Sequence, residues 1–377
     1  KGTQSLLTAN FNRRRPPLDQ LSDEDKAKEL KRRKDERDYE VLEEIPFWSN
    51  GGGFTDGDRS RLCLFDTATG KYEVLSDDSM SVGGLQLNED KSKAVFLGQP
   101  CQKGKWQIQD YLFSLDIPTK ALRQLTQDKF SWSGAYFVGD ALIAQGSDMK
   151  EYGLNQDGLF YQVDQETGQR RLLTPDLDKS TWNSVGSDCR LGGGRSIRVD
   201  GGYLYFITTE GGSSFINRLD RQGVVEKVST APGSVDCYDV QKGKILFIGL
   251  RGQQLQEVYR LEEGKEEKLT NFNDWVQQEK SLSLPQPLEV ETAPGVTIEG
   301  WVMKPVDYQE GKTYPAILDI HGGPKTVYGQ VFFHEMQYWA NEGYFVFFCN
   351  PRGSDGRGNE FADIRGKYGT IDYDDLM

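Results

Sequence analysis

The chain has 377 residues, with 45 Lys and Arg against 58 Asp and Glu, a net charge of −13, and 36% hydrophobic and 11% aromatic residues. At roughly 100–200 residues per domain this is two or three units, which excludes a single small module, and the apolar content excludes a disordered chain. So acidic a surface repels phosphate backbones, and no stretch nears the ~20 apolar residues of a membrane helix, so neither nucleic acid nor a membrane is expected as a partner.

Ahead of the first strands, Ser22-Asp-Glu-Asp25 caps a helix expected to run through Lys26 to about Glu44, with Leu30 as its main apolar position. The basic run Lys31-Arg-Arg-Lys34 is diluted by Asp35, Glu36 and Asp38 and reads as a solvated face. The runs Gly51-Gly-Gly53 and Gly192-Gly-Gly194 lack a following Lys-Ser/Thr and helix, so they read as turns rather than phosphate cradles.

From Phe54 to Leu284 one pattern recurs: an apolar strand, an acidic residue, a turn, and a second strand closing on Leu-Thr or an equivalent. The copies run Leu62 to Asp66 and on to Ser76, Tyr111 to Asp116 and Thr126, Leu159 to Asp164 and Thr174, Phe215 to Asp220 and Ser229, and Val258 to Glu262 and Thr270. Their closing hydroxyl residues follow one another at intervals of roughly 40–55 residues, the period of propeller blades. Alternating apolar segments such as 93–97, 202–207 and 244–248 supply the remaining strands of five four-stranded blades, and helical signals are absent from this region.

After Leu284, Pro285 and Pro287 break the rhythm. Segments 288–292 and 297–303 flank a Pro294-Gly295 turn and read as an antiparallel pair. A short apolar strand at 315–320, a helix from about Gln330 to Asn341 and an apolar strand at 344–348 give the strand-helix-strand order of an α/β domain. The expected organisation is therefore an N-terminal segment with a charged helix (1–53), all-β propeller blades (54–286) and the start of an α/β-hydrolase domain (287–377).

The loop His321-Gly-Gly-Pro324 follows a buried strand and precedes a helix, and its successive glycines let main-chain N–H groups face a site without side-chain obstruction. That is the construction of an oxyanion hole. A second loop, Asn350-Pro-Arg-Gly-Ser354, ends the next strand, and both stand at the carboxyl edge where α/β folds bind ligands.

With Phe332-Phe-His-Glu335 and Tyr373-Asp-Asp-Leu376, these motifs make residues 298–377 resemble the opening of the catalytic domain of the prolyl oligopeptidase family, in its acylaminoacyl-peptidase-like branch. The segment Ile45-Pro-Phe-Trp-Ser-Asn-Gly-Gly-Gly-Phe54 is similar to that branch as well. The resemblance implies a β-propeller capping an α/β-hydrolase domain with a Ser-Asp-His triad, and hydrolysis of short peptides, acylaminoacyl-peptides among them. It implies that Gly323 donates its backbone N–H to the oxyanion, with Gly322 and His321 supporting the same loop. Arg352 is a substrate-binding candidate. No metal, no cofactor and a cytoplasmic setting are expected, with a homo-oligomer left open. Exopeptidase relatives hold the substrate's amino terminus with paired glutamates, but Glu43-Glu44 closes a highly charged helix and reads as a solvated pair.

The departure from the family is sharp. No serine stands in a G-x-S-x-G elbow, Ser354 coming nearest with Gly356 after it but Arg352 before it, and the only histidines, His321 and His334, precede any place for such an elbow. The nucleophile, acid and base are thus not in this chain. Together with a start at Lys1, without Met or a signal-peptide core, this gives the expectation of an internal segment cut at both ends, its first blades upstream. The five separated cysteines, Cys63, Cys101, Cys189, Cys237 and Cys349, read as buried free thiols of a reducing compartment. The competing reading is a non-catalytic propeller that binds peptides or proteins, with a degenerate hydrolase remnant.

Overall fold

The computed structural model describes residues 3–194 and 196–377, and the chain divides into two compact units, Lys1–Asp148 with Phe160–Arg171, and Met149–Leu159 with Leu172–Met377.

The first unit holds three up-and-down sheets. The first pairs Gln4–Asn12, Asp58–Asp66 and Tyr72–Val74; the second is built from Met80–Leu87, Lys93–Gln102, Tyr111–Asp116 and Ala121–Gln124, with Lys105–Trp106 paired beside it. The third takes Ser131–Val138, Ala141–Ser147, Leu159–Val163 and Arg170–Leu172. Leu62, Val82, Phe96 and Leu115 fill one apolar cluster shared by the first two sheets, and Val95, Leu112, Trp132 and Ala144 fill another shared by the second and third. Every residue of Ala141–Ser147 is buried, whereas the closing strands are short and largely exposed.

The recurring Leu-Thr ending has a physical cause. Leu75 N–H donates to Leu62 O while Ser76 Oγ accepts from Leu62 N–H, at 2.8 and 3.0 Å. Leu125 and Thr126 do the same to Leu112, at 2.7 and 3.0 Å. The hydroxyl thus carries the ladder one bond beyond the outer strand and satisfies a buried N–H that would otherwise be orphaned. The acidic residue of the repeat closes the turn: Asp66 Oδ1 accepts from Ala68 and Thr69 N–H, and Asp164 Oδ1 from Glu166 and Thr167 N–H.

Three expectations for this unit need correction. The strand Gln4–Asn12 belongs to the first sheet, in register with Asp58–Asp66, so the N-terminal segment is not only a helical lead. Ser22 does cap the helix, its Oγ accepting from Asp25 N–H, but the helix is Asp23–Asp35 and stops well before Glu44. The chain then turns onto Asp56, whose Oδ1 accepts from both Glu43 and Glu44 N–H at 2.7 Å. Glu44 is not solvated: it is 6% exposed and chelates the buried Arg59 guanidinium at 2.6 and 2.9 Å. The glycine run at 51–53 is a turn, with Gly51 and Gly53 at positive φ inside the Trp48–Ser49/Gly53–Phe54 hairpin.

In the second unit, the fourth sheet (Ile197–Asp200, Tyr203–Glu210, Ser213–Leu219, Val225–Lys227) packs with the fifth (Ser234–Gln241, Lys244–Leu250, Glu257–Glu262, Lys265–Lys268) through Ile207, Ile216, Val235, Phe247 and Tyr259. Ser229 and Thr270 repeat the hydroxyl closure on Ile216 and Val258 N–H, at 2.8 and 3.0 Å. Helix is not absent from the repeat region, since Asp274–Glu279 forms a short one after the fifth sheet.

The last sheet runs in the order Gln286–Ala293, Val296–Met303, Phe345–Asn350, Ala316–Asp319, its last two strands parallel. Trp301, Met303, Met336, Ala340, Val346 and Phe348 form the core between it and the helix His334–Asn341. That helix starts later than Gln330 because its first turn is set from outside: Asp188 accepts from His334 and Glu335 N–H at 2.6 and 2.8 Å. Two shorter helices, Gly358–Ala362 and Ile371–Leu376, follow. Among the described residues no helix is long and apolar enough to cross a membrane.

Candidate active-site loop

The parallel strands Ala316–Asp319 and Phe345–Asn350 both end at the same edge of the sheet, and the two glycine-bearing loops leave from there. Gly322 and Gly323 are exposed, and the Gly323 N–H makes no hydrogen bond to any described residue. Gly323 has φ +134°, a conformation that side chains disfavour, and a Cβ there would meet Lys325 N at 3.1 Å. A Cβ on Gly322 would meet nothing within 4 Å. The first glycine is therefore replaceable by shape and the second is not.

The second loop holds the first. Asn350 clamps Tyr328 through both amide atoms, accepting from its N–H at 2.8 Å and donating to its carbonyl at 2.9 Å. Ser354 Oγ, fully buried, lies 3.1 Å from His321 Nε2. Asp355 N–H donates to Thr326 O at 3.1 Å, and its carboxylate accepts from Ser180 and Ser184 hydroxyls. Arg352 does not stand free for a ligand: its Nε and Nη2 pair with both oxygens of Asp375 at 2.8 Å, and its N–H donates to the same carboxylate at 2.9 Å.

A third support comes from segments far away in sequence. Lys325, directly after the loop, is almost wholly buried and binds Asp157 at 2.6 Å and Asn155 O at 2.7 Å. Burial pushes the Asp157 carboxyl up despite the opposing charge of Lys325, and its Oδ2 is buried without a partner. Thr326 Oγ1 donates to Ser184 O at 2.8 Å. The Gly211-Gly212 turn of the fourth sheet abuts Gly356 and Tyr328 backbone so closely that a Cβ on Gly212 would sit 2.8 Å from Tyr328 O.

His321 is held below its ordinary pKa chiefly by burial, against the opposing pull of Gly322 O, Asn350 and Asp319. Its ring packs edge-on against Tyr328 at 5.1 Å, and Tyr328 donates its hydroxyl to Asp319 at 2.5 Å. His334 sits on the exposed first turn of its helix. The loop residues 321–323 and Ser354 thus come together, Arg352 is engaged by Asp375, and His334 stands apart. Lys325, Asp157, Asp355, Ser180 and Ser184 carried no sequence signal, because their partnerships span well over a hundred residues or join residues of ordinary polar type.

The fold these elements build is that of solved peptidases. Over 99% of its length the chain superposes on 53% of the Pyrococcus horikoshii acylaminoacyl peptidase with a TM-score of 0.74 at 20% identity. A puromycin hydrolase matches 86% of the chain and 51% of its own length, with a TM-score of 0.62 at 18% identity. In sequence, residues 330–377 match the prolyl oligopeptidase family. The chain is 35% identical over 235 residues to the uncharacterized peptidase YuxL of Bacillus subtilis (strain 168), covering 60% of this chain and 36% of that protein. It is also 36% identical over 95 residues to dipeptidyl-peptidase 5 of Arthroderma benhamiae, covering 24% of this chain and 13% of that protein. The chain spans about a third of the first of these curated relatives and about half of the solved structures.

Proposed function

We propose that the chain is part of a serine-type oligopeptidase in which the His321–Pro324 loop supplies one oxyanion donor, the N–H of Gly323, to acyl transfer from short peptides to serine and then to water. The observation that carries this is the exposed, unpaired Gly323 N–H on a loop pinned by Asn350, Ser354 and Lys325 at the carboxyl edge of two parallel strands. A donor fixed before the reaction stabilises negative charge without reorganising. In this reading the five up-and-down sheets are blades of a β-propeller, the last sheet is the leading part of an α/β-hydrolase domain, and the Ser-Asp-His triad is supplied by sequence following these 377 residues. The absence of any G-x-S-x-G elbow from the sequence supports that, as does the length of the solved relatives. Acylaminoacyl-peptides are the substrate class favoured by the fold match, and Arg352 acts on substrate only through the loop it braces.

The test is labelling by a fluorophosphonate probe, which needs an activated nucleophile. The 377-residue polypeptide should not be labelled, whereas a protein extended to the elbow should be labelled at one serine and should hydrolyse short peptides far faster than folded proteins. Stoichiometric labelling of the 377-residue chain, or equal hydrolysis of folded proteins and tetrapeptides by the longer one, would overturn the reading.

A further inference from the structure

Ser354 and His321 have the spacing of a nucleophile and its base, yet Ser354 is fully buried and no substrate carbonyl can reach it. The pair must do something else. The other ring nitrogen, Nδ1, lies 3.3 Å from Gly322 O. A carbonyl oxygen only accepts, so that contact requires the proton on Nδ1; Nε2 of a neutral ring is then an acceptor, and the Ser354 hydroxyl must be its donor. Among the described residues, Asp319 and Tyr328, which bond each other, are the titratable groups that face the ring, and the Asn350 amide bears on it as well.

The consequence lies in the peptide plane. Gly322 C=O and Gly323 N–H belong to one planar trans unit and point in opposite directions, so fixing the carbonyl fixes the N–H. We propose that Ser354 is a positioning residue: its hydroxyl locks His321 as the neutral Nδ1–H tautomer, which grips Gly322 O and thereby aims the Gly323 N–H at the reacting centre. The inference rests on the oxyanion reading for its catalytic consequence but not for its chemistry. The chain from Ser354 through imidazole and carbonyl to N–H runs entirely through atoms of the two loops, and it accounts for a histidine preceding the glycines and a serine closing the second loop. Tyr328 packs edge-on against the ring, and Asn350, which clamps the Tyr328 backbone, bears on the ring too.

The chain has only two histidines, so the tautomer can be read directly. In the 377-residue protein labelled with 15N-histidine, with His334→Gln leaving a single imidazole, long-range 1H–15N correlations near pH 7.5 should show His321 protonated at Nδ1 and unprotonated at Nε2. Ser354→Ala should shift it toward the Nε2–H form that free imidazole prefers, and should broaden or move the Gly323 amide. An Nε2–H ring in the protein with Ser354 intact overturns the inference, with no need for the variant to fold; so does an unchanged tautomer in folded Ser354→Ala. In the longer, active protein, Ser354→Ala should lower kcat by about tenfold or more with KM little changed, since a misaimed donor is missed mainly in the transition state. If the tautomer follows Ser354 but kcat does not, the positioning stands and the oxyanion role of Gly323 falls.

Discussion

Arg352 and Asp375 meet in a two-pronged ion pair at 2.8 Å, and the Arg352 N–H adds a third bond to the same carboxylate. Two of the motifs that mark the family resemblance, Asn350-Pro-Arg-Gly-Ser354 and Tyr373-Asp-Asp-Leu376, are thus the two sides of one contact. Asp375 also accepts from Thr292 Oγ1 at 2.6 Å, so strand, loop and helix are tied at one buried carboxylate.

That contact has a pH dependence of definite sign. Burial alone would push the Asp375 carboxyl up, but the hydrogen bonds from Arg352 and Thr292 outweigh it and hold its pKa below the ordinary carboxylate value. A carboxylate depressed in the folded state contributes stability that is present above its unfolded pKa of ~3.9 and is lost as pH falls through the lower folded value. Asp375→Ala leaves a partly buried guanidinium unpaired, a change that costs about 3 kcal/mol in such settings. Amide exchange over Ile371–Leu376 should therefore quicken by about a hundredfold near neutral pH, and the difference from the parent chain should shrink as pH falls below ~4. Equal exchange at neutral pH would show that the helix is held by its apolar face instead.

The hydroxyl closures predict a repeated cost. Thr126→Val keeps the volume of the side chain but leaves the Leu112 N–H buried without an acceptor, as Ser229→Ala does for Ile216. Each should lower stability by about 1–3 kcal/mol in denaturant titrations, the penalty for an unsatisfied buried donor. Thr119→Val, at an exposed turn, should cost much less.

Much of this was legible in the sequence. The repeat could be read because its hydroxyl and acidic residues act locally, within about fifteen positions of the strand they serve, so the same letters recur. The two glycine loops could be read because an exposed backbone donor needs residues without side chains. Glu44 could not: its partner Arg59 lies on a strand, and nothing around it distinguishes a charge that will be buried from one at the end of a solvated helix. Gln4–Asn12 was hidden because its partner strand lies beyond the helix and hairpin that follow it. Lys325 looked like any loop lysine until Asp157 was brought against it.

Asp110 offers a test of opposite sign. It is partly buried with no hydrogen-bonded cation, and burial raises its pKa to about 6. A raised carboxyl favours folding fully only below its unfolded pKa of ~3.9, and that advantage is lost as pH rises through about 6, so above it the charge is a burden on the fold. Asp110→Asn should accordingly raise stability near pH 7.5 by about 1–2 kcal/mol and leave it little changed near pH 4, as measured by thermal unfolding at the two pH values. A variant that destabilises equally at both would mean that the carboxylate is paired through water.

The two glycines of the candidate loop should respond differently to the same change. At Gly322 a methyl group meets nothing within 4 Å and the backbone is ordinary, so Gly322→Ala should be nearly silent in folding and in kcat of the active, longer protein. At Gly323 the φ of +134° disfavours any side chain, and the new Cβ would press on Lys325 N at 3.1 Å and Thr326 Cγ2 at 3.4 Å. The chain would relieve that strain by turning the peptide, and the N–H would turn with it. Because the donor is needed chiefly when charge develops on the substrate oxygen, Gly323→Ala should reduce kcat with KM nearly constant, approaching the ~10²–10³ lost when one oxyanion donor is removed outright. Circular dichroism unchanged from the parent separates this from misfolding. If Gly322→Ala proved as damaging as Gly323→Ala, the loop would be acting through its flexibility; if a folded Gly323→Ala kept full kcat, its N–H would not be the donor, and the reacting carbonyl would have to find its stabilisation elsewhere in the site.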